Sequence, residues 1–290
     1  MAKDLTTVVT SKTQTVEINR SNFTVIIGER INPTGRKSLL KELKEGKYDI
    51  VKQDAVAQVE AGAKIIDVNA GVPGEDEEPI LKDMMQAVME VTDMPLCIDT
   101  ADNTALETAL SIYEGKALIN SINGEEERLE SVLPLVKEYD ASVIGLCMDD
   151  EGIPPTPEDR FKVAAKIIER ADKMGISADR IVIDPLALTM GSDHNAGRIS
   201  IETIQKVVEE FGVNVTMGCS NISFGMPDRA VINANFIAMS ILAGLTCPIT
   251  NPLEEEVVLA VQAADLVMGR DEFGMNWIKS YRKRSKEDEG

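Results

Sequence analysis

The chain has 290 residues, 43% of them hydrophobic, which suits a single closed α/β barrel with a sizeable core. It carries 30 Lys and Arg against 49 Asp and Glu, a formal net charge of −19. A surface of that sign repels a phosphate backbone, so we expect no nucleic-acid partner. No apolar run approaches the roughly 20 residues of a membrane helix, and the first residues lack an apolar signal core. We therefore expect a cytoplasmic protein without a membrane partner.

The N-terminal stretch, residues 1–22, is rich in Thr, Val and Ser and lies outside the repeating pattern that follows. We interpret it as an extension that forms a short hairpin at the bottom of a barrel. The barrel itself is predicted over residues 23–270, and residues 271–290 are predicted to be the end of a helix followed by a charged tail.

Between residues 23 and 270, short β-rich segments alternate eight times with longer amphipathic segments. Several of the short segments are nearly all apolar, such as Ile181-Val182-Ile183, which is typical of strands buried on both faces of a parallel sheet. The predicted strands are 24–28, 64–69, 96–99, 117–120, 142–147, 180–184, 214–218 and 247–250.

The longer segments have helical periodicity. Leu81, Met84, Met85 and Val88 follow the i, i+3, i+4, i+7 spacing of one helix face, and Thr156-Pro157-Glu158-Asp159 is typical of a helix start. Strict alternation of strand and helix predicts right-handed crossovers and a parallel sheet. Eight such units in this length predict a (β/α)₈ TIM barrel.

The four cysteines, Cys97, Cys147, Cys219 and Cys247, are scattered without a CxxC pair. In a chain with no secretory signal, we expect them to be reduced thiols packed near the core.

Polar side chains follow the predicted strands, where the active sites of such barrels form. Each Asp or Asn taken alone is well explained as a cap of the next helix. Together they predict one pocket rich in carboxylates and amides at the mouth of the barrel. The residues at these strand ends are Asn32, Asp67, Asn69, Asp99, Asn120, Asp149, Asp184, Asn221 and Asn251.

Several chemistries are disfavoured by what the sequence lacks. The single histidine, His194, lies in a polar loop and is expected to be exposed, so we expect neither a histidine-rich metal site nor a Ser-His-Asp triad. No GxGxxG or Walker sequence is present, and His194 is not in the Asp-x-His-x-x-Gly motif that ligates a corrinoid. A pterin is compatible with the pocket, because its exocyclic amine and ring N–H are two parallel donors that a carboxylate matches.

The strand-end motifs resemble those of the pterin-binding, corrinoid-dependent methyltransferases, and most of all the methyltetrahydrofolate:corrinoid protein methyltransferases. The resemblance extends from about Phe23 to Gly269. The folate module of cobalamin-dependent methionine synthase and dihydropteroate synthase are more distant relatives. The six motifs, in chain order, are Ile27-Gly28-Glu29-Arg30-Ile31-Asn32, Gly62-Ala63-Lys64-Ile65-Ile66-Asp67-Val68-Asn69, Leu96-Cys97-Ile98-Asp99-Thr100, Leu118-Ile119-Asn120-Ser121, Ile183-Asp184-Pro185-Leu186 and Gly218-Cys219-Ser220-Asn221-Ile222-Ser223.

This resemblance implies an enzyme that moves a methyl group between N5 of tetrahydrofolate and the cobalt of a corrinoid, in a direction that the sequence leaves open. The corrinoid is expected on a separate protein, this chain is expected to bind no metal, and a homodimer is implied. Asn221 matches the catalytic amide beside N5. The residues expected to contact the pterin are Asp67, Asn69, Asp99, Asn120, Asp184, Gly218 and Ser220.

Three alternatives stay open. A dihydropteroate synthase is disfavoured because residues 184–198 lack its Phe-Gly-Lys stretch, and Ser220-Asn221-Ile222 replaces its Ser-Arg. A pyrophosphate leaving group needs those cations. A non-catalytic folate-binding subunit would carry the same motifs, and tetrahydromethanopterin shares the ring edge of tetrahydrofolate.

Overall fold

The structure, a computed structural model, describes the backbone of residues 3–287 and the side chains of residues 3–285. It begins with an antiparallel hairpin of β1 (Thr7–Thr10) and β2 (Thr15–Ile18). Eight parallel strands then form a closed barrel, which confirms the predicted fold class. They are β3 (Ile27–Ile31), β4 (Ile65–Asn69), β5 (Leu96–Asp99), β6 (Leu118–Ile122), β7 (Ser142–Leu146), β8 (Ile181–Asp184), β9 (Asn214–Gly218) and β10 (Cys247–Thr250).

Helices surround the barrel, and all but the last of them bury side chains on one face. In the third helix, Leu81, Met84, Met85 and Val88 are all buried, as their spacing predicted. The α-helices are α1 (Lys37–Lys44), α2 (Asp49–Glu60), α3 (Glu77–Val91), α4 (Asn103–Ile112), α5 (Glu126–Glu138), α6 (Pro157–Lys173), α7 (Ala196–Phe211), α8 (Arg229–Ala243), α9 (Glu255–Val267) and α10 (Met275–Glu287). Within residues 3–287, no helix is both long and apolar enough to span a bilayer.

The first barrel strand differs from its prediction. It was expected to end at Gly28, but β3 begins at Ile27 and continues through Glu29 and Arg30. Its pairing with β4 shifts register between Gly28 and Ile31 and then resumes at the Ile31–Val68 pair. Because that late pairing depends on a neighbour distant in sequence, local composition does not reveal it. The extension places Glu29 at the mouth of the barrel.

The hairpin lies against the N-terminal ends of the barrel strands. Val9 and Ile18 are fully buried and join the inward-facing side chains of the barrel strands in one apolar cluster. Asn214, at the start of β9, donates hydrogen bonds to Thr7 Oγ1 (2.9 Å) and to the backbone oxygen of Ile18 (2.8 Å). The hairpin thus closes the end of the barrel opposite the strand-end carboxylates.

The cysteines and the start of α6 have the environments that the sequence predicts. All four cysteines are buried free thiols, as expected. Thr156 caps α6 by accepting the backbone N–H of Asp159. At the C-terminus, α10 covers most of the stretch predicted as a helix end and charged tail, and residues 288–290 of that stretch lie outside the described residues. The division of the chain at residues 22 and 270 stays a prediction.

Candidate functional site

A polar cavity of about 470 Å³ opens at the C-terminal ends of the barrel strands. The sequence predicts eight residues for the site, and seven of them line this cavity. They are Asp67, Asp99, Asn120, Asp184, Gly218, Ser220 and Asn221. Asn69 does not line it. Its side chain hydrogen-bonds the carboxylate of Asp99 and accepts the backbone N–H of Gly71 at 3.0 Å, so it is occupied by neighbouring protein groups.

The polar residues predicted at two strand ends do not line this cavity, contrary to the expectation of one shared polar pocket. Asp149 lies beyond the end of β7 in a tight turn, pairs with Gly152, and lines a separate surface hollow. Asn251, after β10, accepts the backbone N–H of Leu253 at 3.1 Å. At these two positions the side chain serves its own loop, which is the local role that Asp and Asn commonly have. His194 is also remote from chemistry, with 90% of its side chain exposed.

One wall of the cavity is a pair of acids on adjacent strands, one buried and one half-buried. Asp67 on β4 is 3% exposed, and Asn120 on β6 donates a hydrogen bond to it at 3.2 Å. Burial raises the pKa of Asp67 well above its ordinary value, and the nearby charge of Asp99 raises it further. Burial likewise raises the pKa of Asp99. This wall therefore holds protons more tightly than exposed carboxylates do.

Asp184 forms a second acidic point at the end of β8. Its carboxylate accepts the backbone N–H of Leu186 at 2.7 Å and also that of Gly218. Burial raises its pKa to about 7 despite these hydrogen bonds. Leu186 has a φ of +66°, a conformation that a leucine adopts only when its surroundings impose it.

The imposing group is Arg160 on α6, which is 1% exposed. Its guanidinium donates to the backbone oxygens of Pro185 and Leu186, both at 2.8 Å, and to that of Pro154 at 2.9 Å. The two bonds to Pro185 and Leu186 fix the turn after β8 and therefore the direction in which Asp184 faces. Sequence reasoning did not identify this residue, because nothing in its local pattern marks it.

Asn221 projects from a short 3-10 helix, Cys219–Ser223, that follows β9. Gly218 makes room for it: a Cβ at that position would lie 3.0 Å from Nδ2 of Asn221. In the ring of eight strands, β9 and β5 are four strands apart. Asn221 and Asp99 thus line opposite sides of the same cavity.

Charged residues that sequence reasoning did not assign to the site also line the cavity. Glu29 on β3 accepts a hydrogen bond from Ser220 Oγ at 2.7 Å. Arg229, the first residue of α8, donates from Nη2 to the backbone oxygen of Ser220 at 2.8 Å. Arg30 and Arg36 lie beside them. The signal for Glu29 and Arg30 was present, since both follow the predicted first strand directly, whereas Arg229 follows no strand.

The arrangement suits a flat ligand with hydrogen-bond donors on one edge. Carboxylates on β4, β5 and β8 accept from such an edge, and the amides of Asn120 and Asn221 can both donate and accept. Within residues 3–285, no three His, Cys, Asp or Glu side chains cluster in the manner of metal ligands.

Comparison with known proteins agrees with this chemistry. Residues 28–251 match the family described as "Pterin binding enzyme". The chain is 32% identical over 265 residues to the methylcorrinoid:tetrahydrofolate methyltransferase of Eubacterium limosum, a match that covers 89% of this chain and 96% of that protein. It is 29% identical over 240 residues to the methionine synthase of Mycobacterium tuberculosis, covering 78% of this chain and 20% of that longer protein.

Solved structures show the same fold at lower sequence similarity. The 7,8-dihydropteroate synthase of Vibrio fischeri superimposes with a TM-score of 0.67 at 16% identity, covering 90% of this chain and 98% of that one. The dihydropteroate synthase of Yersinia pestis does so with a TM-score of 0.64 at 17% identity, with the same coverage. At this level of identity the likeness concerns the barrel and not the reaction.

Proposed function

This chain belongs to the pterin-binding enzymes, and from that membership we propose that it moves a methyl group between N5 of a tetrahydrofolate and the cobalt of a corrinoid carried by a separate protein. The extensive similarity to a methylcorrinoid:tetrahydrofolate methyltransferase supports this reaction class. The name of that relative writes the methylcorrinoid first, which favours methylcorrinoid as the donor and tetrahydrofolate as the acceptor in this chain also.

The observation that carries the proposal is the placement of Asp99 opposite Asn221, with Asp184 on the strand next to Asn221, around one cavity. In this arrangement the carboxylates accept from the exocyclic amine and ring N–H of the pterin, and Asn120 completes the contacts to that edge. Asp67 and Gly218 then form the floor beneath the ring, Ser220 borders its N5 end, and Asn69 holds Asp99 in place.

Asn221 is the proposed catalytic amide. When the methyl group leaves N5, the electron pair of the carbon–nitrogen bond stays on nitrogen, which becomes a better hydrogen-bond acceptor. An amide donor at that atom therefore binds the transition state more strongly than the substrate, and this difference accelerates the reaction. In the opposite direction, the same amide orients the nitrogen lone pair toward the methyl group.

The direct test mixes purified protein with methyltetrahydrofolate and chemically reduced cob(I)alamin without oxygen, and follows the absorbance change to methylcobalamin. We expect protein-dependent transfer, and a loss of about 10²–10³-fold in Asn221→Ala with far less change in pterin affinity. Asn251→Ala is the matched control, because that amide serves its own loop. Pterin binding without transfer to cobalamin or to any corrinoid protein would instead support a non-catalytic subunit.

We further propose a homodimer that forms through α8, α9 and α10. Leu242 and Val267 are 70% and 84% exposed and border an apolar groove of about 550 Å³ on these helices. Such large exposed side chains together are typical of a protein interface. We expect Leu242→Glu to sediment as a monomer and Val91→Glu, on α3, to sediment as the wild type does. If the wild type is itself monomeric, the dimer is excluded.

The remaining assignments concern setting and partners. The four buried free thiols support a reducing compartment, and we propose the cytoplasm. The formal charge of −19 supports a corrinoid protein with a basic docking surface and disfavours nucleic acid.

A further inference from the structure

Glu29 is a carboxyl group that the mechanism above does not use. It lies on β3, yet its Oε1 accepts a hydrogen bond from Ser220 Oγ, 191 residues later in the chain, at 2.7 Å. Ser220 directly precedes Asn221. The other acids of the cavity have different partners: Asp67 bonds Asn120, Asp99 bonds Asn69, and Asp184 accepts backbone N–H groups.

Methyl transfer has a requirement that Asn221 alone does not meet. N5 must end with a proton in place of the methyl group, because an amine anion is a poor leaving group in water. An amide can donate a hydrogen bond but is not a Brønsted acid, whereas a carboxylic acid that retains its proton near neutral pH can supply one.

The surroundings of Glu29 favour its protonated form. Burial is the largest influence and raises the pKa of its carboxyl, and the charge of Glu254 raises it further. The hydrogen bond from Ser220 and the charges of Arg30 and Arg229 act in the opposite direction. Two more titratable groups face it, Asp67 and the thiol of Cys219. The net result is a raised pKa.

We propose that Glu29 is the acid that delivers the proton to N5 through the hydroxyl of Ser220, and the base that receives it when the reaction runs the other way. This inference rests on the proposed function. A serine hydroxyl both donates and accepts, and its hydrogen rotates freely, so it can pass a proton between two neighbours.

Transfer from methyltetrahydrofolate to cobalt makes and breaks four kinds of bond. The O–H bond of Glu29 breaks and its proton goes to Ser220 Oγ, which releases its own proton to N5. The N5–methyl bond breaks with its electron pair on N5, and a Co(I) electron pair forms the cobalt–carbon bond, so that cobalt ends as Co(III). Glu29 is left as a carboxylate. In the opposite direction that carboxylate takes the N5 proton through Ser220, and the cobalt–carbon electron pair returns to cobalt.

The test is the pH dependence of single-turnover transfer from methyltetrahydrofolate to cob(I)alamin. In the wild type, we expect the rate to fall as the pH rises through the pKa of Glu29. Glu29→Gln retains the shape and the contact with Ser220 but has no proton to give. We expect the rate of Glu29→Gln to be lower by about 10²-fold and to show no fall as the pH rises. Its pterin affinity should stay within threefold of the wild type. Ser220→Ala should behave in the same way.

Glu254→Gln is a matched control, because it removes a neighbouring charge and leaves the Glu29–Ser220 bond intact. Since Glu254 raises the pKa of Glu29, the fall in rate should begin at lower pH in this variant. A Glu29→Gln protein that is slower by a constant factor with an unchanged pH profile, or as fast as the wild type, overturns the role of Glu29 and leaves the proposed function standing. A wild-type protein without any methyl transfer overturns both.

Discussion

Asp184 shows how burial prepares a single residue for a ligand. Its pKa of about 7 lies far above the ordinary aspartate value of 3.8, because burial outweighs two backbone hydrogen bonds. A folded-state pKa that is raised above the unfolded value stabilises the fold at low pH, and this stabilisation is lost as the pH rises through 7. The ligand-free protein is thus least stabilised by Asp184 when this residue is ionised, and in the proposed function the ionised form is the one that accepts from a pterin.

Pterin binding should therefore depend on pH through Asp184. Below pH 7, the carboxyl must release a proton before it can accept both donors, so affinity should weaken by about tenfold per pH unit for this proton. Isothermal titration calorimetry in buffers of different ionisation enthalpy measures the proton release directly. Asp184→Asn should bind more weakly and release one proton fewer at pH 6. Equal proton release by the two proteins would contradict the assignment.

Polar residues at strand ends predicted much of the cavity lining. Asp67, Asp99, Asn120, Asp184 and Asn221 were selected because they follow buried strands, and all five line one cavity. The selection worked because parallel barrel strands end on the same face, so position along the chain is enough to place them there.

At the scale of elements, the turn after β8 depends on α6. Arg160 donates to the backbone oxygens of Pro185 and Leu186 in this turn, and to that of Pro154, which precedes α6. The conformation of Leu186, at a φ of +66°, is maintained by these bonds and by the hydroxyl of Ser200, which donates to Leu186 at 2.8 Å.

We expect Arg160→Met to lower the free energy of unfolding by about 3 kcal/mol, because it removes three hydrogen bonds and leaves the buried backbone oxygen of Pro185 without its donor. Pterin affinity should fall as well, since Asp184 loses its fixed turn. Urea denaturation and pterin titration check the two effects. Arg170→Met, ten residues along the same helix, removes a surface ion pair with Glu126 and should cost under about 1 kcal/mol. Similar small losses in both variants would show that the turn holds without Arg160.

The end of β3 shows where prediction from one element fails. Apolar composition stopped at Gly28, but the strand continued because pairing with β4 resumed at Ile31. Gly28 itself permits close packing, since a Cβ there would lie 2.5 Å from Oε1 of Gln58, the atom that accepts the backbone N–H of Arg30. Strand length here is a property of the pair of strands.

At the scale of the whole molecule, the hairpin and the barrel form one core. Thr10 forms two hydrogen bonds with Lys116 in the loop before β6. The backbone N–H of Thr10 donates to the backbone oxygen of Lys116 at 3.0 Å, and Thr10 Oγ1 accepts the backbone N–H of Lys116 at 2.9 Å. Gly115 is essential to this contact. Its φ is +153°, and a Cβ there would lie 2.2 Å from the backbone oxygen of Thr10.

Gly115→Ala should separate the hairpin from the barrel and lower the free energy of unfolding by at least about 2 kcal/mol, through overpacking as well as backbone strain. Gly46→Ala is the control, because Gly46 also has a positive φ, +66°, but no atom lies near its missing Cβ. Gly46→Ala should lower the free energy of unfolding by about 1 kcal/mol, from backbone strain alone. Thermal unfolding of the two variants measures the difference, and equal costs would refute the steric argument.

The sequence by itself determined the eightfold alternation, the apolar helix faces and the ring of acids and amides, because each is encoded in the periodicity of neighbouring residues. Tertiary structure alone decided which of those polar groups share a cavity. Asp149 and Asn251 lie outside it, while Glu29 reaches Ser220 across 191 residues of chain. The physical reason is that barrel closure brings distant strand ends within hydrogen-bonding distance, and local sequence carries no record of the register in which they meet.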